Sequence, residues 1–188
     1  MGAHGRRAKN IFYEEACRVP LLVRWPGHIP AGHVSDACLG TVDILPTLCG
    51  LMKLPYPSSA AGMDLSHCAL GQQGPEPEAA LMQGTGACAI WEDGHEWRAL
   101  RDKRFTYAVF RVDGRDLLFD NLDDPYQRHN LAEDYAHQAT RERFCALLRE
   151  RVAALNDSFP ASTWYRDNLT YGHRHTLRSA TAEFGKSI

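Results

Sequence analysis

Trp97-Arg98-Ala99-Leu100-Arg101, Phe105-Thr106-Tyr107-Ala108-Val109-Phe110 and Asp116-Leu117-Leu118-Phe119-Asp120 are the three runs whose reading decides the fold. Each is short, and apolar side chains recur in it at a period near two, the period of strands. Two earlier runs, Ala80-Leu81-Met82-Gln83 and Ala87-Cys88-Ala89-Ile90-Trp91, have the same character. Asp93-Gly94 and Asp113-Gly114 stand between runs as hairpin turn signals. The pattern predicts a small antiparallel meander of four or five strands, stopped by Asp123-Asp124-Pro125.

Downstream, Thr140 to Asn156 carry Phe144, Leu147, Leu148, Val152 and Leu155 on one stripe, with Arg141, Glu142, Arg149, Glu150 and Arg151 opposite. That is an amphipathic helix suited to cover one face of the meander. Residues 157–188 hold Trp164, Tyr165, Tyr171 and Phe184 without a clear period and read as an irregular tail. Upstream, Pro55 to Pro77 are rich in Pro, Gly, Ser and Gln, which marks a long connection between two regimes. The expected division is therefore residues 1–76 and 77–188. In the first part Val19-Pro20-Leu21-Leu22-Val23-Arg24-Trp25 does not alternate, as in a strand covered on both faces inside a parallel sheet. Asp43 to Lys53 predicts a helix with Asp43 as N-cap, Pro46 in its first turn and Leu45, Leu48, Leu51 and Met52 on one face.

The chain has 188 residues, 44% apolar and 23% charged, with 15 Gly and 10 Pro, which excludes collagen-like, low-complexity and disordered classes. Lys plus Arg number 21 and Asp plus Glu 23, a formal charge of -2 that gives no argument for a nucleic-acid or anionic-membrane partner. No stretch has the 18 or so consecutive apolar residues of a membrane span, and Met1-Gly2-Ala3-His4-Gly5-Arg6-Arg7 does not have the form of a secretory signal peptide. The 6 cysteines form no Cys-x-x-Cys pair and read as free thiols.

Few motifs announce chemistry. There is no Gly-x-Ser-x-Gly elbow, and Gly84-Thr85-Gly86-Ala87-Cys88-Ala89 lacks the third glycine of a dinucleotide fingerprint, so it reads as a strand connection. His173-Arg174-His175 reads as a solvated basic tail rather than a metal site, and Asn168-Leu169-Thr170 is a glycosylation sequon by pattern only. Asp123 and Asp124 read as turn formers. Lys9 differs: it is a single ammonium in a loop that leads into an aromatic residue, two carboxylates and a buried strand. Such loops are where α/β proteins place anion sites; on that placement alone, Lys9 also suits the surface.

Gly2-Ala3-His4-Gly5, Lys9, Phe12-Tyr13-Glu14-Glu15 and Arg18-Val19-Pro20-Leu21-Leu22-Val23-Arg24-Trp25-Pro26-Gly27, taken in order, resemble the segment of sulfatases that follows their Ser-Asp-His-Gly metal motif. Val42-Asp43-Ile44-Leu45-Pro46-Thr47-Leu48 is similar to that family's next helix, and Gly62-Met63-Asp64-Leu65 to the segment closing its large domain. Trp97 to Arg101, Arg104 to Tyr107, Leu117 to Asn121, Asp124 to Gln127 and Asn130-Leu131 resemble the C-terminal sulfatase subdomain. The resemblance runs from residue 2 to about 157 and lies within the alkaline phosphatase superfamily.

It implies an α/β fold: the remnant of an alkaline-phosphatase-like α/β/α sandwich in 1–76, plus a small C-terminal subdomain of antiparallel sheet with a packed helix in 77–188. It also implies a C-terminal portion of a sulfuric ester hydrolase. The formylglycine signature Cys- or Ser-x-Pro-x-Arg is not in this sequence, since Cys17 is followed by Arg18-Val19-Pro20, and neither are the calcium ligands. Nucleophile and calcium are thus expected from an N-terminal region of the same protein, with no metal bound by this chain alone and the chain by itself inactive. Localisation stays open. Lys9 matches the family lysine on the sulfate, where one positive charge about 4 Å from an anion is worth roughly 4 kcal/mol at an effective dielectric near 20. His4, His95 and Arg98 are expected near a pocket for a sulfated small molecule or glycan. Two alternatives stay open: a phosphonate or phosphodiester hydrolase of the same superfamily, and a non-catalytic binding module.

Overall fold

The computed structural model describes residues 2–6, 10–85, 93–165 and 167. Strands β1 (Ala80–Thr85), β2 (Glu96–Arg101), β3 (Phe105–Phe110) and β4 (Asp116–Asp120) pair antiparallel in chain order. The expected meander is present, and the run from Ala87 to Trp91 lies outside the described residues. Its register sets Ala99 opposite Ala108 and Ala108 opposite Leu117, two alanines and a leucine across the middle of one face. Asp102 makes the β2–β3 turn, its carboxylate accepting from the amides of Arg104 at 2.8 Å and Phe105 at 2.6 Å. Asp113-Gly114 makes the β3–β4 turn, with Gly114 at φ +61°, a conformation that favours glycine.

Alternation sends Leu100, Tyr107 and Leu118 to one face and Trp97, Ala99, Ala108, Leu117 and Phe119 to the other. Helix α4 (Gln138–Ala154) covers the first face with Phe144 and Leu148. It begins and ends two residues earlier than the apolar stripe predicts. A 3-10 turn at Tyr135–His137, capped by the Asp134 carboxylate on the Ala136 amide, leads in, and Asn156 at φ +50° stops it. Leu155 therefore falls past the last turn and stays exposed.

The second face is covered from the far end of the chain. Ile11 and Phe12 are buried against Trp97, Ala99, Ala108, Leu117 and Phe119. The Phe12 ring meets Trp97 edge-on at 5.5 Å and Phe110 at 5.8 Å. Residues 11–17, which end in the short helix α1 (Glu14–Cys17), are thus the lid of a sheet more than sixty residues downstream.

Two expectations about the first part are corrected. Val19 to Trp25 is not a buried strand: it has no ladder partner among the described residues, and Val19 and Leu22 are 75% and 93% exposed. A strand of that type needs neighbours on both edges, and the one sheet among the described residues, β1-β2-β3-β4, does not include it. Helix α2 (Ile44–Met52) forms, but the Asp43 side chain does not cap it, and Leu45, Leu48 and Met52 point outward while Pro46, Thr47 and Cys49 are buried. Polar bonds decide that orientation. The Asp43 carboxylate accepts from the amides of Gly40 and Met63, each at 2.7 Å, and Thr47 Oγ1 accepts from the Leu65 amide at 3.0 Å. Gly62 makes the approach possible, because a Cβ there would collide with the Val42 carbonyl. Short helix α3 (Ser66–Ala69) follows directly, its first amide bonded to Asp64.

Phe12→Ala is expected to cost about 3–5 kcal/mol, read as a fall in the urea midpoint. Leu22→Ala, at an exposed site, should change stability by no more than about 0.5 kcal/mol.

Candidate functional site

The loop before Ile11 is built on special backbone. A 3-10 turn spans Ala3–Gly5, with Gly2 at φ +132°, Gly5 at φ +69° and His4 itself left-handed at φ +52°. Histidine is among the side chains more often found in that region, and here the ring gains specific contacts. It stacks on Tyr13 with centroids 3.6 Å apart and planes 4° from parallel, and its Nε2 lies 3.5 Å from Glu15 Oε2. Tyr13 in turn packs edge-on against Phe119 at 5.8 Å. His4 is therefore mounted on the sheet through Tyr13. Burial pushes the Tyr13 hydroxyl up, while the nearby positive charges of Arg6 and Arg115 oppose that shift.

Lys9 lies outside the described residues. The residue after it is fixed: the Asn10 carbonyl accepts from the Trp97 indole at 3.1 Å, and Ile11 and Phe12 follow directly into the core. Glu14 completes the anchor. Its amide donates to Gln127 Oε1 at 2.8 Å, and its carboxylate meets Arg101 Nε at 3.1 Å. Gln127, left-handed at φ +51° and fully buried, passes the chain of bonds on to Asn121, whose amide donates to Thr106 Oγ1. Asn130 Oδ1 accepts from the amides of Leu118 and Ala132. Asp120 accepts from Arg104, and Asp124 caps the amides of Arg128 and His129, so Asp123-Asp124 is a turn as the sequence predicts. Asn121, Gln127 and Asn130 form a polar buckle between β4 and the N-terminal segment.

Arg98 sits on the opposite face from Trp97 and is fully buried. Its Nε and Nη2 grip the Asp157 carboxylate at 2.5 and 2.9 Å, Nη2 also donates to the Tyr165 hydroxyl, and Nη1 donates to the carbonyls of Gly84 and Trp97. Phe159 lies 4.3 Å below the guanidinium. Every donor of Arg98 has a partner within the chain, so the expectation that it faces a substrate gives way to a role holding residues 157–165 on the sheet. His95 is exposed just before β2. The structure thus groups His4 with Tyr13 and Glu15, and sets Arg98 on the other side of the sheet. Tyr13, Glu15 and Gln127 fall in the quoted motifs Phe12-Tyr13-Glu14-Glu15 and Asp124 to Gln127 without a role assigned to them, and Arg115 was not singled out from the sequence.

Among the described residues no group of three or more His, Cys, Asp or Glu side chains converges as a metal cage requires. The calcium implied by the resemblance does not fit the described residues of this chain by themselves. The five described cysteines are free, and burial pushes the Cys17 thiol up to about 11, away from nucleophilic use. No helix among the described residues is long and apolar enough to cross a membrane. His173, His175 and the sequon at Asn168 lie outside the described residues.

A meander roofed by one long helix and backed by a buried segment carrying a Gly-, His- and Lys-bearing loop defines the class: the C-terminal portion of a sulfatase-type hydrolase of mixed α/β fold. The N-sulphoglucosamine sulphohydrolase C-terminal family matches residues 2–155, and the chain belongs to it. It is 33% identical over 177 residues to an ulvan-active sulfatase of Formosa agariphila, covering 91% of this chain and 34% of that protein. Human arylsulfatase G is 30% identical over 148 residues, covering 74% of this chain and 27% of that one. A protein solved in complex with its substrate D-glucosamine-2-N,6-O-disulfate superposes with a TM-score of 0.72 at 26% identity, over 84% of this chain and 32% of that one. The chain spans about a third of the length of the curated relatives it matches.

The end of β4 beside the buckle has a pH signature. The Arg104 guanidinium holds the Asp120 carboxyl below the ordinary carboxylate value, with the amides of Leu122 and Asp123 adding to the effect. A depressed folded pKa stabilises fully above the unfolded value, about 3.9, and that contribution is lost as pH falls through the folded value. Asp120→Asn should therefore lower the melting temperature at pH 7, with the gap to the unmodified protein closing below about pH 4.

Proposed function

We propose that this chain is the C-terminal part of an enzyme that hydrolyses sulfate esters of saccharides, with Lys9 as the cation on the sulfate oxygens. One observation carries the reading: the residue after Lys9 is bonded to Trp97, and the next two are sunk into the sheet core. Charge held in place before the reaction lowers a barrier without reorganising when charge develops, and the anchored Asn10 next in sequence supports that role for Lys9. A sulfate ester is a tetrahedral oxyanion whose leaving oxygen gains negative charge as the S–O bond breaks. Lys9 balances the charge of the sulfate oxygens as that bond breaks, His4 precedes it by five residues, and His95 is a candidate contact to the sugar. The ulvan-active relative and the glucosamine disulfate complex support a sulfated saccharide as the substrate class.

Residues 1–76 are the part of this chain proposed to complete the large catalytic domain, and 77–188 the C-terminal subdomain. Nucleophile and calcium, which the family implies, are assigned to polypeptide outside this chain. The exposed Val19, Leu21, Leu22, Leu45, Leu48 and Met52 are the surface proposed to meet it.

The test is Lys9→Ala in the full-length protein, assayed on a sulfated saccharide and an aryl phosphodiester. A fall of about a hundred- to a thousandfold in kcat/KM for the sulfate ester, with an unchanged melting temperature, is expected. Faster turnover of the phosphodiester, or full activity of the variant, overturns the reading. The 188-residue chain alone should show no turnover.

A further inference from the structure

Residues 157–165 lie beyond the family match, which ends at 155, yet they are bound to the sheet at three points. Arg98 grips Asp157 inside the protein. Glu96 is fully buried, and its carboxylate accepts from the Ser162 amide at 2.5 Å, the Gly94 amide at 3.0 Å and Arg111 Nε at 3.1 Å. Asp93 accepts from the Thr163 amide at 2.8 Å and from its hydroxyl at 2.9 Å. Between Asp93 and Glu96 sits His95, exposed to solvent.

Buried charges that lose a partner cost more than exposed ones, so Arg98 and Glu96 account for stability. They do not account for the Asp93–Thr163 pair. Those bonds are exposed, where such contacts add little to stability, and they act on a residue two positions before His95. Gly94, immediately before His95, is bonded to the carboxylate of Glu96, immediately after it. The backbone on both sides of one exposed imidazole is therefore held by the same buried group, and that group is shared with the 157–165 segment.

We propose that residues 157–165 are a clasp that positions His95 toward the saccharide, with Asp93, Ser162 and Thr163 as positioning residues; this rests on the sulfate-ester reading above. A contact of this kind orients the sugar without entering the bond-breaking step, so it belongs to KM rather than kcat.

The experiment uses the full-length protein and its Asp93→Ala, Asp93→Asn and His95→Ala variants, with a sulfated saccharide as substrate and amide hydrogen exchange as an independent readout. Asp93→Ala is expected to speed exchange at Gly94 and Thr163 by about tenfold or more. It should raise KM about three- to tenfold with kcat within about twofold, while Asp93→Asn, which keeps the acceptor geometry, restores both. His95→Ala should raise KM by a similar factor with exchange unchanged. Unchanged exchange in Asp93→Ala overturns the clasp. Faster exchange with unchanged KM, or an unchanged KM in His95→Ala, overturns the positioning of His95. Absence of turnover in the unmodified protein overturns the sulfate-ester reading and the role of His95 with it, while exchange still decides whether the clasp exists.

Discussion

A four-stranded sheet that is apolar on both faces has to be covered twice, and almost everything else follows from how this chain does it. Helix α4 covers one face in the ordinary way, with Phe144 and Leu148 over Leu100, Tyr107 and Leu118. The other face is closed by Ile11 and Phe12, with Ala16 and Cys17 of the short helix α1 packed beside them. Burying an aromatic side chain contributes roughly 1.5–3 kcal/mol, and Phe12 alone meets Trp97 and Phe110 edge-on. The packing requirement of residues 97–119 thereby fixes where Asn10 to Cys17 run, and through Tyr13 where His4 stands.

Apolar burial alone would leave that segment free to slide, because packing is not directional. Direction comes from hydrogen bonds at its two ends: Trp97 on the Asn10 carbonyl, and Gln127 and Arg101 on Glu14. Each involves a group that would be costly to leave unpaired in the interior. The same logic operates on the reverse face, where Arg98 and Glu96 hold residues 157–165. Charged residues inside the meander thus serve registration of the two chain ends on one sheet.

The meander, its Asp113-Gly114 turn and its covering helix were legible because their signals are local: period two, an Asp-Gly pair, and a long amphipathic stripe; the Asp102 turn carries no such pair. Both errors came from arguments that need the other side of a contact. The Val19–Trp25 run carries the composition of a buried strand, but composition does not say whether neighbouring strands exist. In α2 the apolar stripe pointed to Leu45, Leu48 and Met52 as the inner face, yet Asp43, Thr47 and the Cβ-free Gly62 turn the helix the other way. The Arg98–Asp157 pair was hidden for the same reason: the two residues are 59 apart, and nothing in the sequence near either announces the pair. The lid function of Phe12 was equally invisible, since it depends on a face created more than eighty residues later.

The outward side of α2 carries the argument one step further. Its inner face is held by directional bonds, so the helix is not free to roll its aliphatic side chains inward when they meet water. Leu45, Leu48 and Met52 share one side of that fixed helix, and Leu21, Leu22 and Val23 stand exposed in a segment without sheet partners. Removing each such side chain from water is worth roughly 1.5–3 kcal/mol, a gain the described residues leave unrealised. A rigid polar inner face with an aliphatic outer face is stable when further polypeptide lies against the outside, which supports the proposal that this side meets polypeptide beyond the described residues.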